Sequence, residues 1–230
     1  LQGYIVELNV NPKMNFRHQK AANSLDINLN EKLSHKLEIK EKIKDNYNLG
    51  VICGSSGSGK TSLAKKYFSK NFFDIESIDQ SKTLLELFPE KYSYQEITKF
   101  ITSVGLNSVP CWLKPIYALS NGQKSRAVCA LALASDMDLI VIDEWTSVVD
   151  RNCAKIMSKS IAKFSKKYNK KIILISCHYD IIDYLEPDWV IDCNKQTIDN
   201  NYVKKKLKNS NLISKKSTNQ PGNNLASIII

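Results

Sequence analysis

A chain of 230 residues with 43% hydrophobic content can bury one substantial core, or at most two small ones. No apolar run approaches the ~18–20 residues that cross a bilayer, and residues 1–10 lack the basic start and apolar stretch of a secretory leader. The net charge of +10 invites a nucleic-acid reading, but six lysines and no acid fall in residues 201–230, so the excess reads mainly as a solvated basic tail.

In chain order, the alternating residues 4–10 and 36–39 predict short antiparallel strands separated by polar, Asn-rich connections. A hydrophobic strand follows at 50–53, then a glycine-rich turn, then a helix over 62–70. Residues 82–105 read as helical, with Tyr94, Ile97, Phe100, Ile101 and Val104 at spacings of three and four; Gly105, Pro110 and Pro115 close that pattern. A helix over 121–134, an apolar strand over 138–143, a helix over 150–167, a strand over 171–176 and another at 190–192 complete the series. Strands alternating with helices predict an α/β fold with a mostly parallel, right-handed central sheet. The boundaries are 1–200 for the folded domain and 201–230 for a low-complexity tail, expected to be disordered. The six cysteines are widely spaced with no C-x-x-C, which predicts reduced thiols and a cytoplasmic location.

The turn is Gly54-Ser55-Ser56-Gly57-Ser58-Gly59-Lys60-Thr61, continued by Ser62, and it fits G-x-x-x-x-G-K-[ST] between a buried strand and a helix. Its glycines let successive N–H groups converge on one anion, and the helix start adds unpaired N–H groups and a positive dipole end. A nucleoside triphosphate is the ligand this predicts, with Lys60 on its β- and γ-phosphates and Thr61 on Mg²⁺. The strand over 138–143 ends in Asp143-Glu144. Ligands of open α/β sheets lie beyond the carboxyl ends of the strands, so Asp143 is a candidate for Mg²⁺ and Glu144 for orienting the attacking water.

Leu119-Ser120-Asn121-Gly122-Gln123, followed three residues later by Arg126, resembles the signature motif of ATP-binding-cassette (ABC) ATPases. Ser147-Val148-Val149-Asp150 is similar to that family's D-loop, and His178 ends the next strand where the family places its switch histidine. The resemblance covers roughly residues 36–200 and implies a P-loop NTPase that hydrolyses Mg-ATP. It further implies a head-to-tail homodimer in which Lys60, Thr61, Asp143, Glu144 and His178 of one chain face Ser120, Gly122 and Gln123 of its mate, with Asp150 at the seam. Gln80 is the first candidate for the family's metal-contacting glutamine and Gln95 the second; Phe16 and Tyr47 are the candidates for stacking on adenine.

The chain departs from the pattern in three places. Asn121 stands for the first Gly of the signature, Trp145 for the Pro after Asp-Glu, and Cys177 precedes the histidine. Ser120 lies only 60 positions after Lys60, so the helical subdomain is expected to be reduced. Segments around Trp112, Trp145 and Trp189 resemble a group of soluble bacterial and phage ABC ATPases, some fused to an acetyltransferase-like domain. The leading expectation is therefore a soluble ATPase acting on a nucleic-acid or protein partner. The alternatives are the ATP-binding subunit of a membrane transporter, or a nucleotide-gated module with negligible turnover. Asn194-Lys195-Gln196 lacks the final Asp of a base-reading Asn-Lys-x-Asp, which weakens a GTPase reading.

Overall fold

The computed structural model describes residues 3–10, 15–25, 33–73 and 78–202; the basic tail from 203 onward lies outside them. The elements are β1 (Tyr4–Val10), α1 (Phe16–Ser24), β2 (Leu33–Ile39), β3 (Leu49–Cys53), α2 (Lys60–Phe68), α3 (Tyr94–Ser103), α4 (Asn121–Ala134), β4 (Leu139–Ile142), α5 (Arg151–Tyr168), β5 (Lys171–Ser176), α6 (Ile182–Leu185), β6 (Trp189–Asp192) and β7 (Thr197–Asp199). β1 and β2 form an antiparallel pair, and the main sheet runs β4-β5-β3-β6-β7. All its pairings are parallel except β6 with β7, the edge strand the sequence did not announce.

Burial on both faces explains why β3, β5 and β6 read as unbroken apolar runs. Side chains still alternate. Val51, Cys53, Ile140, Ile172 and Leu174 join α3, α4 and α5 in one core. Ile52, Val141, Ile173, Ile175 and Ile191 join Leu63 and Ala64 of α2 and the β1–β2 pair in another. The sheet is thus the middle of three layers. β1 is tied to α2 through Tyr67, whose hydroxyl accepts from Ile5 N at 2.7 Å.

Two local expectations need correction. The helix expected over 82–105 begins only at Tyr94, because Ser93 and Glu96 form a reciprocal cap there: Glu96 N donates to Ser93 Oγ at 3.3 Å and Ser93 N to Glu96 Oε2 at 2.9 Å. Upstream, Thr83 N and Oγ1 both donate to Glu86 Oε2, and Pro89 follows, so only a single 3₁₀ turn forms at Leu85–Leu87. α1 occupies a stretch expected to be an irregular connection, started by a cap between Asn15 and His18.

Gly50, in the middle of β3, pairs with Ile173 on one side and Trp189 on the other. A Cβ there would lie 2.0 Å from Trp189 Cζ2, inside a ring that packs edge-on against Tyr47. Gly50→Ala is expected to destabilise the fold by ~1–3 kcal/mol, the usual range for overpacking. Urea denaturation checks this; an unchanged midpoint would show that Trp189 gives way freely.

Candidate functional site

β3 delivers the chain directly into the phosphate loop. Gly57 and Gly59 take φ values of 79° and 89°, which side-chained residues rarely adopt, and Gly59 is the N-cap of α2. A glycine cap brings no side-chain acceptor, so the first N–H groups of α2, from Lys60, Thr61 and Ser62, lack an intrahelical or side-chain partner. Ser55, Ser56 and Gly57 form an exposed crest, whereas Gly54, Ser58 and Lys60 are buried. Lys60 Nζ folds back to donate to the Ser55 carbonyl at 2.7 Å, and Ser58 Oγ is buried without a partner. A buried ammonium, an orphan hydroxyl and an uncapped helix start fit a phosphate group by charge and by hydrogen-bond demand. Burial pushes the Cys53 and Cys193 thiols beside the loop up to about 12, so neither is a reactive thiolate.

The other catalytic candidates arrive by strand register. β5 lies between β3 and β4, with Cys53 opposite Ser176 and Ile142 opposite Leu174. The phosphate loop, His178 and the acids Asp143 and Glu144 therefore leave the same edge of the sheet. Strand spacings of ~4.8 Å put β3 and β4 about 10 Å apart, a gap that fits a triphosphate and its metal. Asp143 is half-buried, accepts from Glu144 N at 2.8 Å, and lines a cavity of about 350 Å³ with Phe72, Phe73, Asn121 and Lys124. Among the described residues no three His, Cys, Asp or Glu side chains cluster as a metal cage. Mg²⁺ suits such a site, because it takes one or two carboxylates and completes its shell with phosphate and water.

Glu144 is exposed, sits at φ 53°, and its carboxylate accepts from the Ser147 hydroxyl. The next residue accounts for a departure from the family pattern. Trp145 N donates to the Ile175 carbonyl at 2.8 Å, and its indole nitrogen donates to Ser158 Oγ at 3.2 Å in the core. A proline has no N–H to make the first bond. Ser176 Oγ returns a bond to the Trp145 carbonyl at 3.0 Å and accepts from His178 N at 3.1 Å, which fixes the start of the His178 segment beside the acidic turn.

The signature residues begin α4, whose Asn121 and Lys124 line the cavity with Asp143. Ser120 is the N-cap of α4, with its hydroxyl on Gln123 N at 3.3 Å and its own N–H on Gln123 Oε1 at 3.1 Å. Asp150 caps α5 through Cys153 N at 2.9 Å. The two helix starts are neighbours: a Cβ on Gly122 would lie 2.9 Å from the Val148 carbonyl. Arg126 links them by donating to the Gly122 carbonyl of α4 at 3.0 Å and to Cys153 Sγ of α5 at 3.5 Å, and it also donates to the Gly105 carbonyl at 3.1 Å.

The remaining candidates separate from these. Gln80 Oε1 accepts from Lys124 Nζ at 2.5 Å, which places Gln80 at the rim of the cavity holding Asp143. Gln95 is exposed in the first turn of α3. Phe16 is 76% exposed on α1, and Tyr47 is buried against Trp189 ahead of β3, at the end of the sheet away from the loop. The burial of Tyr47 at that end of the sheet removes it as a base-stacking residue in this structure. Sequence reasoning missed Asn194, Tyr179, Arg151 and Asp180, all of which hydrogen-bond in the loops at the carboxyl end of the sheet. Only the position of Asn194, just past a buried strand, could have marked it.

No family model matches the chain. It is 36% identical over 81 residues to the energy-coupling factor transporter ATP-binding protein EcfA1 of Staphylococcus aureus; the match covers 35% of this chain and 29% of that protein. Among solved structures it is similar to the dimeric, post-hydrolysis ATP-binding cassette MJ0796 bound to ADP and Pi, with a TM-score of 0.57 and 14% identity over 86% of this chain and 95% of that one. It is equally similar to a cobalt transport ATP-binding protein, cbiO-2, with a TM-score of 0.57 and 16% identity over 86% and 77% of the two chains. The parallel sheet and these likenesses give the chain the fold of an ABC-type ATPase cassette.

Proposed function

We propose that the chain binds Mg-ATP at residues 54–62 and hydrolyses it by closing head to tail on a second copy. The observation that carries this reading is the convergence of a buried Lys60, an uncapped helix start and two strand-end acids at one edge of the sheet. Lys60 and the N–H groups of the loop hold the phosphates, and Thr61 and Asp143 hold the metal. Bound Mg²⁺ would offset the charge of the phosphate oxygens. Glu144 orients the attacking water and accepts its proton, and His178, one strand away, holds the γ-phosphate end. For this, Glu144 must exchange the Ser147 hydroxyl for water, a change that closure over the 147–150 loop would supply.

The adjacent starts of α4 and α5 supply the dimer face. Ser120, Gly122 and Gln123 would close over the partner's nucleotide, because the solvent-exposed start of α4, whose Ser120 and Gln123 groups can be released from each other, favours an anion. The dimeric cassette among the similar structures supports this arrangement.

For the partner, the names of the relatives favour the ATP-binding subunit of a membrane transporter over the nucleic-acid or protein partner expected first. No described helix is long and apolar enough to cross a membrane, so the membrane component would be a separate chain or segment. One observation keeps the other partner in view: α3, of ten residues, is the only α-helix described between α2 and α4, a small platform for docking. Copurification with an integral membrane protein supports the transporter reading, whereas ATPase activity stimulated by DNA or RNA in a salt-sensitive way supports the other.

Glu144→Gln keeps shape but loses the proton acceptor. It is expected to bind ATP, to lower turnover at least ~100-fold, and to accumulate as a dimer in light scattering; a monomer at saturating ATP contradicts the proposed closure. Ser120→Arg removes a helix cap, costing ~0.5–2 kcal/mol, but leaves residues 54–62 intact. Monomer affinity for ATP should persist while dimerisation and turnover are lost, and wild-type turnover would remove Ser120 from the site.

A further inference from the structure

Ser55 is held from outside its own loop. Its N–H and its hydroxyl both donate to Asn194 Oδ1, at 3.1 and 2.9 Å. Because a backbone N–H can only donate, this contact fixes the orientation of the Asn194 amide and turns Nδ2 the other way. Asn194 Nδ2 donates to Tyr179 OH at 3.3 Å, and that hydroxyl donates to Asp192 Oδ1 at 3.0 Å. Asp192 is 8% exposed and also accepts from the N–H groups of Asn194 and Lys195, at 3.0 and 3.1 Å. At the other end, the Ser55 carbonyl takes the ammonium of Lys60. From Ser55 to the Asp192 carboxylate the bonds run in one direction, the arrangement in which neighbouring hydrogen bonds strengthen one another, and Lys60 holds the same residue from its carbonyl side. Loss of hydration, with Cys53 and Asp192 nearby, raises the Tyr179 phenol well above its ordinary value, so it stays a donor.

Tyr179 is also the neighbour of His178. On its far side Asp180 pairs with Arg151 through two guanidinium nitrogens, and Arg151 directly follows the Asp150 cap of α5. The His178 segment is thus bonded to the phosphate loop through Tyr179 and Asn194, and to the proposed dimer face through Asp180 and Arg151. Phosphate binding that draws Lys60 off the Ser55 carbonyl must be felt along this path.

We propose that Asn194 and Tyr179 are positioning residues that couple the phosphate loop to the His178 segment and give the site its preference for a triphosphate over a diphosphate. This rests on the nucleotide reading above. Neither residue needs to touch the nucleotide: Asn194 sets the Ser55 peptide, and Tyr179 sets the backbone that carries His178.

The test is the ratio of the dissociation constants for ADP and the non-hydrolysable analogue AMP-PNP, measured by titration calorimetry. The proteins are the wild type, Tyr179→Phe, Asn194→Ala, the double variant and Lys60→Ala. A ratio within one protein is insensitive to how much of a variant is folded. The ratio is expected to fall about three- to tenfold in each single variant, the range of one hydrogen bond, and no further in the double variant, since both break the same path. An unchanged ratio in Tyr179→Phe, or losses that multiply in the double variant, overturns the coupling while leaving the nucleotide reading in place. Wild-type protein that binds neither nucleotide, or binding indifferent to Lys60→Ala, overturns both.

Discussion

The parallel hydrogen bonding of β5 between β3 and β4 is the constraint on which the site depends. It sets Cys53 level with Ser176 and Ile142 level with Leu174, so three chemically different loops leave the sheet together. All three strands are enclosed by cores on both faces, and a shift by one residue would turn every inward side chain outward. The positions of Lys60, His178 and Asp143 are therefore held by packing of residues that carry no chemistry.

Strain collects where the acids emerge. Glu144 and Thr146 both have positive φ, at 53° and 68°, and Thr146 is β-branched with a buried, unpartnered hydroxyl. Such a backbone costs ~1–3 kcal/mol per residue and persists only where its surroundings over-determine it. Trp145 provides that determination: its N–H, carbonyl and indole nitrogen all have partners in β5 or α5, and the side chain is 1% exposed. A buried tryptophan between two strained residues holds Glu144 out in solvent, where the Ser147 hydroxyl restrains its carboxylate.

The signature helix is self-satisfied in the single chain. Ser120 and Gln123 spend their polar groups on each other, and Lys124 on Gln80. Closure over a neighbour's phosphate would exchange the neutral Ser120–Gln123 bonds for charge-assisted ones, which are roughly twice as strong. That difference gives a physical basis for coupling nucleotide to dimer.

The sequence alone determined the strand–loop–helix unit, the acidic strand end and the alternation of strands and helices. Each is a local pattern, such as a glycine spacing or an apolar run closed by acids. The start of α3 rests on an equally local cap at Ser93, but the apolar residues upstream of it continue a helical spacing and mask that boundary. Strand order, by contrast, was decided only by tertiary structure, because β5 enters between two strands that precede it in the chain. The same holds for the role of Trp145, the core position of Tyr47 and the Ser55–Asn194 contact across 139 residues. These depend on which backbone groups and side chains meet in space, and no periodicity along the chain records that.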